Sequence, residues 1–128
     1  MMSSVRCIVL CLAGLLLISS RAVAHHSNVA FEVTKVVTVK GAVKDLKWSN
    51  PHVWLYVTIT DKEGAAQEWA FEGRAPGILS RAGWSRNIFK PGEIVTIDMS
   101  PARDGSKTGM IGRVTKADGT ILGNSPTE

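Results

Sequence analysis

Period-two alternation across residues 35–60 constrains this chain more than any other feature. "KVVTVKGAVKDLKW" (35–48) puts Val37, Val39, Gly41 and Val43 on one side, with Lys40 and Lys44 on the other. "HVWLYVTIT" (52–60) sets Val53, Leu55, Val57 and Ile59 against His52, Trp54, Tyr56 and Thr58. Successive side chains of a strand point to opposite faces, so this pattern specifies two strands, each with a buried and an outward face. "SNP" (49–51) is the turn between them; Pro51 holds Asn50 extended and admits a cis bond. Gly41 in mid-strand predicts a bulge or sharp bend.

The pattern then continues and changes. "DKEG" (61–64) is a hairpin loop, and "AAQEWAFEG" (65–73) puts Gln67, Trp69 and Phe71 on one face. In residues 75–93, Pro76, Ile78, Leu79, Ala82, Trp84, Ile88 and Phe89 recur at helical or one-turn spacings. Gly83 is the expected helix end, and Ser85 the cap of a second short turn. "EIVTIDM" (93–99) resumes the strand pattern with Val95, Ile97 and Met99 inward. "MIGRVTKA" (110–117) is a fifth strand, and "DGT" turns into a short "ILG". Three strands, a helical connection and two strands make a mainly β chain. The expected fold is a small five-stranded OB-like barrel with one short helical insertion between strands three and four. An open antiparallel sheet or sandwich with one helical insert is the alternative.

The front of the chain has another character. Arg6 precedes an apolar run at 7–18, and Ala22-Val23-Ala24 is the small-residue pattern at which export signals are cut. A run of about a dozen apolar residues is short for a membrane span, which needs roughly 20. Residues 1–24 are therefore expected to be a cleaved signal peptide; an uncleaved anchor is the alternative. On that expectation the protein is periplasmic or secreted, with no stable membrane span after cleavage. Residues 25–33 are an N-terminal leader, 34–122 one barrel domain, and 123–128 a flexible tail. Both cysteines, Cys7 and Cys11, leave with the signal, so the exported chain has neither disulfide nor thiol chemistry. Loss of Arg6 and Arg21 leaves 13 basic residues against 11 acidic ones. No basic block remains, and no nucleic-acid partner is expected.

"HHSNVAFEVTKVVTVKGAVKDLKWSNPHVWLYVTITDKEG", followed by "EWAFEG", "GW" and "KPGEIVTI", resembles a family of small exported bacterial proteins, domain-of-unknown-function family 6152. Its most specific parts are the "HHS" start, the W-x-NPH-x-W block (48–54) and the EW-x-x-EG block (68–73). The resemblance spans nearly the whole exported chain and implies export and a small β-barrel. It implies no activity.

Chemistry must therefore come from the residues. Cleavage after Ala24 would give His25 a free α-amine beside its own imidazole, and the two together chelate Cu(II). A second imidazole would complete a planar three-nitrogen set, the coordination that Cu(II) favours. The amine titrates near 7.7–8.0, so a metal displaces its proton at modest cost. His25, His26 and His52 are the candidate metal ligands, with copper as the candidate cofactor. A solvated polar leader, and a His52 that merely closes the NPH corner by bonding backbone, are the competing readings. The first two strands set an obstacle, since His52 lies at the end of the hairpin away from the leader. The nine-residue leader reaches roughly 30 Å at most, whereas a 13-residue strand spans about 43 Å if straight.

Trp54 and Tyr56 face away from the expected core, on the strands whose outer face binds ligands in OB-folds, and are the candidate cofactor-binding pair. Stacked coverage of Trp54 by the leader or helix is the competing reading. Glu68 and Glu72 share a face of the third strand but stand about 13–14 Å apart, too far for a glycosidase pair. No triad elbow, phosphate loop or dinucleotide fingerprint is present, so no catalytic residue is assigned. The expected function is a non-enzymatic exported binding module. The alternative is an accessory subunit that docks an exported enzyme or envelope complex through the outer face of strands two and three. A copper-dependent oxidase is the least supported class.

Overall fold

A computed structural model describes residues 27–123. In chain order the elements are α1 (Ser27–Ala30), β1 (Val37–Lys47), β2 (Trp54–Thr60), β3 (Ala66–Glu72), α2 (Pro76–Arg81), β4 (Ile94–Pro101), β5 (Thr108–Lys116) and β6 (Ile121–Gly123). The sheet runs β3-β2-β1-β4-β5-β6, and a parallel pairing of β3 with β5 closes it. The first five strands thus form a closed OB-like barrel with one helix between β3 and β4. Strand β6 is an addition to it, three residues paired with the end of β5.

Closure depends on β1. Its first half pairs with β4, from Val37↔Met99 to Ala42↔Ile94. Its second half pairs with β2, from Ala42↔Thr58 to Lys47↔Trp54. The expected bulge exists, but it lies between Val43 and Asp45 rather than at Gly41. Two residues there face outward in succession, and Leu46 then returns to the core side. Gly41 serves a different purpose. A Cβ at that position would lie 2.5 Å from the Thr58 carbonyl oxygen. Only glycine admits so close an approach of β2 where β1 passes from one neighbour to the other.

Alternation placed the interior correctly. Val53, Leu55, Val57, Phe71, Ile97 and Val114 are fully buried, with Val43, Val95 and Met99 beside them. Trp69 stacks on Phe71 with ring centroids 6.0 Å apart. The insertion 75–93 holds one helix and then the short turn expected at Ser85, closed by Ile88 N–H donating to Ser85 O at 3.2 Å. Helix α2 ends in a Schellman motif: Trp84 N–H donates to Leu79 O, and Gly83 N–H to Ser80 O, with Gly83 at φ +87°. The motif turns Trp84 into the core, where it meets Phe89 edge-on at 5.4 Å. Beyond it, Lys116 Nζ donates to Ile88 O at 2.9 Å, pairs with Glu93 at 3.2 Å and lies over the Phe89 ring. These contacts fasten the loop to β5.

The leader is also fastened. Phe31 bridges Ala102, Glu32 N–H donates to Pro101 O, and Arg103 N–H donates to Ala30 O. Phe31 is buried yet does not belong to the interior cluster, so it packs outside the barrel wall at the end of β4.

Candidate functional site

The outer face of β2 carries His52, Trp54, Tyr56 and Thr58, all partly exposed, as the alternation required. The expected cofactor-binding pair, Trp54 and Tyr56, therefore points outward and is incompletely covered. The Asn50–Pro51 bond is cis. His25 and His26, with the expected signal peptide, lie outside the described residues.

His52 does not bond backbone at the NPH corner. Its Nδ1 stands 2.7 Å from Oε1 of Glu72, with side-chain exposures of 37% for the histidine and 11% for the glutamate. A carboxylate is an acceptor, so Nδ1 carries the proton and Nε2 is the nitrogen left for another partner. A carboxylate that orients an imidazole in this way is the usual companion of a metal-ligating histidine. Glu72 faces outward but is nearly buried. A buried carboxylate needs a donor, and the imidazole supplies one.

Strand register explains the burial. Lys47 pairs with Trp54, Trp54 with Glu72, Glu72 with Met110, and Met110 with Ser100. One row of outward positions thus crosses β1, β2, β3, β5 and β4. Glu72 sits in its middle between a tryptophan and a methionine. At the β4 end, Ser100 is fully buried and its Oγ has no hydrogen-bond partner. Glu72, Met110 and Ser100 had no place in the sequence-level site. Glu72 was visible only as an outward carboxylate of the third strand, and nothing local paired it with His52.

Barrel closure also changes the path from leader to His52. Around the barrel the other way, Phe31 bridges Ala102, Ala102 N–H donates to Thr108 O, Thr108 pairs with Ala70, and Ala70 with Tyr56. Phe31 therefore lies about three strand spacings, roughly 14 Å, from β3. The leader approaches from the β4–β5 side and need not travel the length of β1.

A second polar cluster is structural. Asp98 accepts from Thr38 Oγ1 at 2.6 Å and from Arg113 Nε at 2.9 Å, bridging β1, β4 and β5. The Thr38 hydroxyl first, and then the Arg113 guanidinium, hold the Asp98 carboxyl below its ordinary range against the opposing effect of burial. Lys44 and Glu68 pair across β1 and β3, with the lysine held above its ordinary range chiefly by that hydrogen bond. Among the described residues, no group of three His, Cys, Asp or Glu side chains gathers to hold a metal. Nor is any helix among them long and apolar enough to cross a membrane.

No curated protein matches this sequence. Among solved structures, the chain is similar to the mitochondrial single-stranded DNA binding protein Rim1 of S. cerevisiae. One crystal structure of Rim1 aligns at 11% identity and a TM-score of 0.47, covering 71% of this chain and 97% of Rim1. A selenomethionine-labelled crystal aligns at 10% identity and a TM-score of 0.43 with the same coverage. The profile of a family of unknown function (DUF6152) matches residues 13–113, and the chain belongs to that family.

Proposed function

We propose that this protein is a small exported, non-enzymatic module that binds Cu(II). The His25 amine and imidazole supply two nitrogens, and Nε2 of His52 supplies the third, with His26 in reserve. The observation that carries this reading is the His52–Glu72 bond, which orients an imidazole as metal sites do and reserves Nε2. Export follows from the signal-like segment 1–24, which also creates the terminal amine. No nucleic acid enters this function, since the exported chain carries no basic block.

Cu(II) titration of two forms tests it, one beginning at His25 with a free α-amine and one with that amine acetylated. Acetylation removes the amine as a ligand and leaves the His25 imidazole without its chelate partner, so affinity should fall at least about a hundredfold. Equal affinity would refute the terminal chelate.

A second reading is favoured by Trp54 and Tyr56, two aromatics that remain partly exposed on the outer face of β2. On it the protein is an accessory subunit that docks an exported enzyme or envelope complex there. Loss of a co-purifying envelope partner on Trp54→Ala would support docking; equal recovery by both forms would count against it.

A further inference from the structure

We infer that the groove between the β1 bulge and the loop after α2 binds a small zwitterion, a free α-amino acid with a short apolar side chain. The groove shares no residue with the His52 site, so the inference stands independently of the copper reading. Its volume is about 300 Å³, at the low end of the roughly 300–1,000 Å³ of small-molecule sites. Val43, Asp45 and Leu46 line one wall, and Arg86, Asn87 and Phe89 line the other. Both walls are held in place. Val43 N–H donates to Glu93 O at 2.8 Å, and Gly92 N–H donates to Val43 O at 2.7 Å. Lys116 Nζ holds Ile88 O from the β5 side, and Phe89 rests edge-on against Trp84. A site fixed in this way loses little conformational entropy when a ligand enters.

Charge decides what the groove accepts. The bulge turns Lys44 and Asp45 outward in succession. Lys44 is taken by Glu68, while Asp45 is left to the groove. Asp45 Oδ1 accepts Leu46 N–H at 2.8 Å, and Oδ2 accepts from none of the described residues. On the facing wall, the Arg86 guanidinium and the Asn87 side-chain amide have no partner among the described residues. Arg86 and Asp45 thus line one groove without pairing with each other. Glu93, close by, is already paired with Lys116. A lone anion in the groove would meet the Asp45 carboxylate, and a lone cation the Arg86 guanidinium, so each is repelled from one wall. A molecule with both charges on neighbouring atoms satisfies both walls. Its carboxylate takes the Arg86 fork, helped by the Asn87 amide, and its ammonium donates to Asp45 Oδ2. Val43 and Phe89 are nearly buried, so the apolar surface offered is small and suits a short side chain.

L-Valine is the probe, titrated into the isotope-labelled exported chain and followed by NMR at the backbone amides of Leu46 and Asn87. Both amides should shift saturably. Two analogues each lack one charge: isovalerate has no amine, and isobutylamine has no carboxylate. Wild type should bind valine at least about tenfold more tightly than either, since each analogue forfeits a charge-assisted hydrogen bond. Arg86→Gln should lower valine affinity at least about tenfold. Asp45→Asn keeps an acceptor for Leu46 N–H and should bind valine no better than isovalerate. Arg86 and Asp45 are both exposed, so neither change disturbs the core. Unmoved Leu46 and Asn87 amides at the solubility limit of valine overturn the inference. So does equal binding of valine and isovalerate by wild type, or undiminished valine affinity in Arg86→Gln. Failure of acetylation to weaken Cu(II) would instead sink the terminal chelate and leave the valine result standing.

Discussion

His52 and Glu72 meet at 2.7 Å across the outer face of β2 and β3, with the carboxylate almost sealed from solvent. The bond decides which imidazole nitrogen carries a proton and which is available. Removing Glu72 should therefore weaken metal binding without removing a ligand. Glu72→Ala is expected to lower Cu(II) affinity about 10- to 100-fold, as loss of such an orienting carboxylate does elsewhere. Parallel Cu(II) titrations of wild type and Glu72→Ala check this, and equal affinities would show that Glu72 does not orient the ligand.

Asp98 should dominate the acid limb of stability. Its folded carboxyl titrates below its ordinary value of 3.8, chiefly through the Thr38 hydroxyl and then Arg113. A depressed carboxyl contributes stability that is fully present above the unfolded value and lost as pH falls through the folded one. Urea midpoints should thus decline below about pH 4. Asp98→Asn should flatten that decline and cost about 1–3 kcal/mol at neutral pH. An unchanged acid limb in the variant would place its origin elsewhere.

Gly41 should tolerate no side chain. The added methyl of Gly41→Ala would sit 2.5 Å from Thr58 O and 2.7 Å from a Val57 methyl. Backbone must move, at a cost of roughly 1–3 kcal/mol. Urea unfolding should show a lower midpoint at unchanged slope; a wild-type midpoint would mean that β2 yields easily there.

The leader should detach without unfolding the barrel. Phe31 is buried against the outside of β4 and is absent from the interior cluster. Phe31→Ala should therefore speed amide exchange at Glu32 and Arg103, whose N–H groups bond across this junction. Exchange at Val57, in the barrel wall, should stay slow. Equal acceleration at all three would mean that leader and barrel open together.

Much of the barrel was legible in the chain. Alternation identified the inward residues of β1, β2, β3 and β4, because burial on one face leaves a period of two in any sequence that folds this way. Gly83 announced the end of α2, since its positive φ is cheap for glycine alone. The bulge was misplaced by a few residues, because β-bulges need no glycine and Lys44 and Asp45 are unremarkable locally.

The site divides along the same line. Sequence by itself determined which side chains face outward on each strand, His52, Trp54, Tyr56 and Glu72 among them. Which outward residues are neighbours was decided only by register and closure. Pairing of β2 with β3 set Trp54 against Glu72, and the parallel contact of β3 with β5 brought Met110 beside it. Hydrogen-bonded rows join residues far apart in the chain, and no local pattern records a partner that lies on another strand.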